Sequence, residues 1–242
     1  MEYMLWALLL LIADRDGLRR PRPGTHGWVL DAGAHDGATG VMLANALRRH
    51  AVRPLHVLSL EPLASNVRVA QWRAQDVPNL HVKRLGLGEV NGTMGHYPEK
   101  YDARKSGQGL QIARFRGWNN VGNASYPIVT IDALFGDGSD STLVLAHLDL
   151  EGREADALRG ANATLWRDRP VLTVETFSTS MASWHREVMA LLEALNYQVY
   201  TVEEQVGWPT DGRNHVGIPR EDRHLRYILD SFFNYSPFRR PA

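Results

Sequence analysis

The stretch Val29-Leu-Asp-Ala-Gly-Ala-His-Asp-Gly37 constrains the fold more than any other part of the chain. An apolar run ends in an acid, glycines punctuate the loop that follows, and Thr39–His50 has the composition of a helix. A buried strand, a glycine loop and a helix N-terminus form the first unit of nucleotide-binding α/β folds. Gly33 and Gly37 allow a sharp bend and a close approach to a ligand, because they carry no Cβ.

The acid at the end of this strand restricts the ligand. Asp31 would repel a pyrophosphate, and the spacing Gly-x-x-x-Gly differs from the Gly-x-Gly-x-x-Gly fingerprint of dinucleotide-binding proteins. An NAD-dependent enzyme is therefore disfavoured. The acid suits a ligand that has a cationic or hydroxylated part.

Acids or glycines also follow the later predicted strands. They are Glu61 after His56–Leu60, Gly86 after Leu80–Leu85, Asp149 after Leu143–Leu148, and Glu175 after Pro170–Val174. Because strands and helices alternate along the chain, we expect a doubly wound, mostly parallel sheet, in which ligands bind beyond the carboxyl ends of the strands. The acids at those ends predict an anionic crevice.

Glu61 is a candidate ribose-binding residue. It follows the glycine loop at close to the spacing at which an acid binds ribose in doubly wound folds. A carboxylate can accept hydrogen bonds from both vicinal hydroxyls of a ribose. An acid that caps a helix at the sheet edge is the alternative interpretation.

Composition limits the partners. The 242 residues include 27 Lys and Arg against 27 Asp and Glu, so no overall field attracts nucleic acid, and no nucleic-acid partner is expected. The absence of cysteine excludes disulfides, thiolate metal sites and cysteine nucleophiles. Basic and aromatic residues interleave between Tyr97 and Asn123, and we interpret this stretch as a variable substrate loop. The sequence leaves the oligomeric state open.

Residues 1–27 form a segment of their own, and residues 28–242 form the predicted domain. The apolar run Tyr3–Ala13 is short for a membrane span but has the length of a signal-peptide core. Sequons that indicate a secretory-pathway lumen occur at Asn91, Asn123, Asn162 and Asn234. Two interpretations stay open: membrane association or secretion through Tyr3–Ala13, and a cytoplasmic protein in which this segment packs on the domain.

Six motifs occur in the order that the FkbM-type methyltransferases carry them, over residues 28–177. They are Val29–Gly37, Leu60–Pro62, Val129–Leu134, His147–Gly152, Leu158–Ala161 and Arg169–Glu175. The chain resembles this family, and Asp-x-Glu-Gly followed by Leu-x-Gly-Ala is the most specific part of the likeness. The resemblance implies the Rossmann-like, seven-stranded class I methyltransferase fold and an S-adenosylmethionine-dependent O-methyltransferase. Such enzymes commonly act on a hydroxyl of a sugar, glycan or secondary metabolite.

The resemblance also assigns cofactor-binding residues. They are Asp31, which orders the loop and faces the ammonium group; Gly33, Ala34, His35 and Gly37 around the methionine tail; Glu61 on the ribose; and Gly86 and Leu87 on the adenine side. S-adenosylmethionine has no phosphate, which agrees with an acid at the loop. The family usually carries Asn where His35 stands.

A hydroxyl acceptor must lose a proton during methyl transfer, so a base should stand near it. Asp149, after the most apolar strand, is the first candidate, and His147 and Glu175 are the alternatives. His147 and Asp149 should share a strand face, because side chains alternate along a strand. The family usually has Lys at position 147. We predict no metal, and a metal held by His147, Asp149 and Glu175 is the less favoured alternative.

Three residues have mainly structural interpretations. Glu151 is either an acid at a helix N-terminus or part of the reaction site. Asp132 should cap the helix that it begins, and Trp72 should face inward with its helix. A rival function from another class is a non-catalytic binding module on the same fold, anchored through Tyr3–Ala13.

Overall fold

The computed structural model of the protein describes residues 21–94, 125–176, 182–202 and 214–234. The apolar segment Tyr3–Ala13 and the predicted substrate loop between Tyr97 and Asn123 lie outside these ranges. Within them, no helix has the length and apolar character needed to cross a membrane.

The described ranges form ten strands and seven helices. The strands are β1 His26–Ala32, β2 Leu55–Leu60, β3 Leu80–Lys83, β4 Gly86–Leu87, β5 Gly92–Met94, β6 Tyr126–Val129, β7 Ser141–Leu148, β8 Val171–Glu175, β9 Tyr197–Val202 and β10 Asn214–Pro219. The helices are α1 Ala38–His50, α2 Ala64–Ala74, α3 Ile131–Phe135, α4 Glu154–Arg159, α5 Asn162–Asp168, α6 Ala182–Ala194 and α7 Arg223–Asn234.

Seven strands form the main sheet, in the order β3-β2-β1-β7-β8-β10-β9. Neighbours are parallel except at β10, which is antiparallel to both β8 and β9. The strand order reverses between β1 and β7, and ligands of doubly wound sheets bind at such a switch point. The predicted seven-stranded, mostly parallel sheet is confirmed. A small second sheet has the order β4-β6-β5.

The core lies on both faces of this sheet. One face packs against Leu43 and Leu47 of α1, and the other against Val188 and Leu192 of α6. Strand β7 is buried from Thr142 to Leu148, as a central parallel strand covered on both sides requires. The carboxyl end of β7 is therefore held by its neighbours β1 and β8 and by the core, and it supports the residues that follow.

Two of the local predictions are wrong. Trp72 is 66% exposed, because it lies on the side of α2 opposite the buried Val67 and Ala70. Asp132 does not cap its own helix: Thr130 Oγ1 accepts the first-turn N–H there, at 2.9 Å. The Asp132 carboxylate instead accepts two N–H groups at the start of α5. Asp132 lies within α3 and reaches the start of α5, and the long separation in sequence gave no sign of that contact.

Candidate active site

The loop after β1 is packed tightly against the ends of two neighbouring strands. Gly33 has φ of 90°, and a Cβ on it would lie 1.8 Å from the carbonyl oxygen of Asp149. The N–H groups of Gly33 and Ala34 both donate to the carbonyl oxygen of Leu60, at 3.0 Å each. Gly37 also has a positive φ, of 79°. Glycine is therefore required at position 33, both for its backbone conformation and for the contact with Asp149.

Glu61, at the end of β2, holds this loop from the side. Its Oε2 accepts the N–H of His35 at 2.9 Å, and its Oε1 accepts the N–H of Leu63 at 2.8 Å. The residue is only 4% exposed, and burial raises its pKa. Each carboxylate oxygen has a second lone pair, so these bonds leave acceptor capacity for the hydroxyls of a ribose.

Asp31 lies in the sheet under helix α1. Ser59 Oγ donates to its Oδ2 at 2.7 Å, and a Cβ on Gly40 of α1 would lie 3.2 Å from the same oxygen. Its Oδ1 is buried and has no hydrogen-bond partner among the described residues. The described loop N–H groups donate to Leu60 and Glu61 and not to Asp31, so the predicted role of Asp31 in ordering the loop stays a prediction.

Burial raises the pKa of Asp31 to about 6, even though the bond from Ser59 opposes the shift. The folded state then binds a proton more tightly than the unfolded chain, so the free energy of unfolding should fall as pH rises from about 4 to about 6. The expected loss is about 3 kcal/mol. We predict that Asp31→Asn removes this part of the pH dependence.

Urea unfolding of the wild type and the variant across this pH range measures the effect. Asp76→Asn, at an exposed position, is the control that should keep the wild-type slope. An Asp31→Asn protein that unfolds with the wild-type pH dependence would contradict the prediction.

Three carboxyl groups converge beyond β7 and β8. Asp149, Glu151 and Glu175 each place one carboxylate oxygen within 4.8 Å of the other two. Asp149 directly follows β7, Glu175 ends β8, and Glu151 lies in the turn that precedes α4, at φ of 53°. Three carboxylate oxygens at this separation could hold a cation, because hard cations prefer oxygen ligands.

Asp149 is the group that burial affects most strongly in this trio. Burial raises its pKa well above the ordinary value, and so do the hydrogen bond with Glu175 and the charges of Glu175 and Glu151. A carboxylate with a raised pKa takes a proton from a hydroxyl more readily than an ordinary one. The geometry is thus compatible with the predicted base, whose role stays a prediction.

His147 does not join this group. It is buried within β7, and its Nδ1 lies 3.0 Å from Thr173 Oγ1 on β8. Burial holds its pKa well below the ordinary value. Asp149 lies beyond the last residue of β7, so strand alternation does not place the two side chains together. Among the described residues, the set of three converging acids that could hold a metal contains Glu151 instead of His147.

Glu154 is a buried acid that the sequence analysis missed. Its Oε1 accepts the N–H of Leu150 at 2.6 Å, and its Oε2 accepts the N–H of Gly152 at 3.1 Å. Burial raises its pKa to about 8. Glu154, in the first turn of α4, takes the structural role that the sequence offered to Glu151. By accepting these two N–H groups, Glu154 fixes the turn in which Glu151 lies close to Asp149.

A second missed feature joins β8, β10 and α6 beside Glu175. Thr176 Oγ1 lies 2.8 Å from His185 Nδ1 and 2.8 Å from His215 Nε2. Thr176 and His215 are buried. These residues are far apart in the chain, so no sequence pattern signals the contact. The network anchors the end of β8 and hence the position of Glu175.

Gly86 and Leu87 form β4 and pair with β6 in the small sheet. The side chain of Leu87 is 2% exposed and packs in the core. A contact of these residues with adenine would therefore use backbone atoms, and the assignment stays a prediction.

A sequence model described as the methyltransferase FkbM domain matches residues 31–199. The chain belongs to the FkbM methyltransferase family. It is an S-adenosylmethionine-dependent methyltransferase, as the motifs predicted, and S-adenosylmethionine is its cofactor. No curated protein matches the chain.

Solved structures of other methyltransferases are similar to this chain to different degrees, and the first of those that follow shares its fold. An FkbM methyltransferase of Methylobacillus flagellatus has 19% identity and a TM-score of 0.53, with 84% of this chain and 46% of that chain covered. A putative O-methyltransferase of Klebsiella pneumoniae has 13% identity and a TM-score of 0.47, with 88% and 79% covered. Fibrillarin of Aeropyrum pernix, with natively bound S-adenosylmethionine, has 13% identity and a TM-score of 0.43, with 86% and 73% covered. The chain thus spans about half the length of the Methylobacillus structure.

The residues at the end of β1 and β2 fit the cofactor. Asp31 Oδ1 is a buried acceptor without a partner, which suits an ammonium donor directly or through water. Glu61 also hydrogen-bonds the side chain of Asn66, and the acceptor capacity that remains on its carboxylate suits a ribose hydroxyl. No basic side chain is needed, because the cofactor has no phosphate. When bound, S-adenosylmethionine supplies a methyl group on a positively charged sulfur.

Proposed function

We propose that this FkbM methyltransferase methylates a hydroxyl oxygen of a neutral, polyhydroxylated acceptor such as a sugar, a glycan or a secondary metabolite. The proposal rests on the pair Asp149 and Glu175, which lies beside the loop after β1. We call this loop, residues 33–37, the cofactor loop. The backbone of Asp149 touches Gly33 of that loop, so the pair lies next to the expected methionine tail.

A hydroxyl is the acceptor that needs such a pair. In the balanced reaction the oxygen–carbon bond forms as the carbon–sulfur bond breaks, its electron pair stays on sulfur, and the hydroxyl proton is released. Asp149, beside Glu175, can take up that proton, because its raised pKa makes it a stronger base than an exposed carboxylate. A neutral amine has a free lone pair and does not need a base for the same step.

The surrounding charge favours a neutral acceptor. Asp149, Glu151 and Glu175 would repel a phosphate or carboxylate group on the substrate. The same oxygens can accept hydrogen bonds from several hydroxyls at once, as a sugar or polyol presents them. Charge and hydrogen-bonding capacity together support a polyhydroxylated substrate.

A methyl-transfer screen tests this proposal. The full chain is incubated with isotope-labelled S-adenosylmethionine and matched sets of neutral glycosides, hydroxylated metabolites, sugar phosphates and amines, and products are identified by mass spectrometry. We expect O-methyl products from neutral hydroxyl compounds and little transfer to their phosphorylated counterparts. Transfer to amines alone, with none to hydroxyls, would contradict the proposal.

A further inference from the structure

A group of histidines lies near the amino ends of β1–β3, away from the carboxylates. His56 of β2 stands opposite Trp28 of β1, and their rings are 4.9 Å apart. His81 of β3 lies 5.2 Å from the same Trp28 ring, and His26 lies 6.1 Å from His56. We call these three histidines and Trp28 the histidine patch. Strand β1 separates it from the cofactor loop by about 20 Å.

The distance between two imidazole nitrogens in the patch is the informative measurement. His56 Nδ1 and His81 Nε2 are 3.3 Å apart. Two nitrogens that bind one zinc ion at about 2.0–2.1 Å in tetrahedral geometry are separated by about 3.3–3.4 Å. The rings are tilted by 39° and not stacked. The apo arrangement therefore holds two ligand atoms at the separation that a bound zinc ion requires.

The protonation of the patch also permits metal binding. Without metal, one of the two nitrogens carries the proton of an N–H···N hydrogen bond. Binding needs that ring to move its proton to its other nitrogen, so the total charge of the two rings does not change.

We propose that His56 and His81 form a binding site for a borderline-soft divalent metal ion such as zinc. The exposed His26, whose ring centroid lies 6.1 Å from that of His56, stands beside this pair. Trp28 forms an apolar wall beside it. The ion would connect β2 to β3 at the edge of the main sheet, where these strands share only four register pairs. It stabilises the folded state, because an unfolded chain does not hold the two rings together.

Calorimetric titration of the tag-free full chain with zinc chloride at pH 7.5 tests this inference. We expect saturable one-to-one binding with micromolar affinity and a higher melting temperature in the presence of zinc. His56→Gln and His81→Gln should each weaken binding at least about tenfold. His50→Gln changes an exposed histidine at the end of α1 and should leave binding unchanged. Magnesium should not compete, because it prefers oxygen ligands.

Two further measurements show whether the zinc ion binds at the histidines or at the carboxylates. The double variant Asp149→Asn with Glu175→Gln should still bind zinc, whereas loss of binding there would assign the ion to the carboxylates and overturn the inference. Quenching of tryptophan fluorescence by cobalt should be smaller in Trp28→Phe than in the wild type. Zinc binding that is absent in the wild type, or unchanged in both folded histidine variants, would also overturn it.

Discussion

Asp149→Asn is expected to lower kcat by about two to four orders of magnitude while the Kd for S-adenosylmethionine changes little. The amide has nearly the same shape as the carboxyl group, but it cannot take up the acceptor proton. The contact of Gly33 with this residue uses the backbone carbonyl oxygen, which the substitution preserves. The cofactor loop should therefore keep its position, and the loss should fall on the chemical step.

The same substitution should increase stability at neutral pH. Burial and Glu175 raise the pKa of Asp149, which means that its charged form is unfavourable in the folded state. Removing that ionisable group removes the cost of ionising it. Loss of turnover together with a higher free energy of unfolding is the pattern expected of a residue kept for function. Urea unfolding at pH 7.5 and single-turnover transfer to the best acceptor of the screen give the two measurements.

Further variants distinguish the role of Asp149 from that of its neighbour Glu175 in the carboxylate trio Asp149, Glu151 and Glu175. Glu175→Gln should lower the apparent pKa of the activity profile, because Asp149 loses a neighbouring negative charge. Glu89→Gln changes an exposed acid outside the trio and should leave both the profile and kcat unchanged. Wild-type turnover in Asp149→Asn would remove this residue from the base role and leave Glu175 as the remaining candidate.

The sheet and the position of the site could be predicted because they depend on local patterns. Apolar runs ending in acids identify parallel strands and their carboxyl ends, and these ends meet at one edge of the sheet. Asp31, Glu61, Asp149 and Glu175 were found in this way. The strand order reverses beside Asp31 and Asp149, as the switch-point rule requires.

The detailed contacts could not be predicted, because they depend on how turns aim individual side chains. The left-handed backbone at Glu151 places it beside Asp149, whereas the neighbouring Glu154 turns inwards to accept N–H groups. Both acids looked alike in the sequence. The contact of Glu61, which follows the next strand, with the N–H of His35 in the loop was missed for the same reason.

Glu61→Gln is expected to weaken S-adenosylmethionine binding by about a hundredfold or more. The carboxylate accepts N–H groups from two segments, His35 in the loop and Leu63 at the start of α2. An amide offers one oxygen and places its NH₂ group against the other N–H, so one of the two contacts becomes a clash of donors. The two ribose hydroxyls would also lose a charged acceptor, at about 1.5–3 kcal/mol for each bond. Calorimetry with the cofactor measures the loss, and Asp76→Asn is the exposed control.

A cofactor analogue without ribose hydroxyls separates the two roles of Glu61. If the carboxylate binds the ribose, removing the hydroxyls should cost the wild type much affinity and Glu61→Gln little, so that the double-mutant cycle shows a coupling of 1 kcal/mol or more, on the order expected for groups in contact. If Glu61 acts only by holding His35 and Leu63, the analogue should lose the same affinity in both proteins. Equal losses would therefore contradict the ribose assignment while keeping the loop contacts that the structure shows.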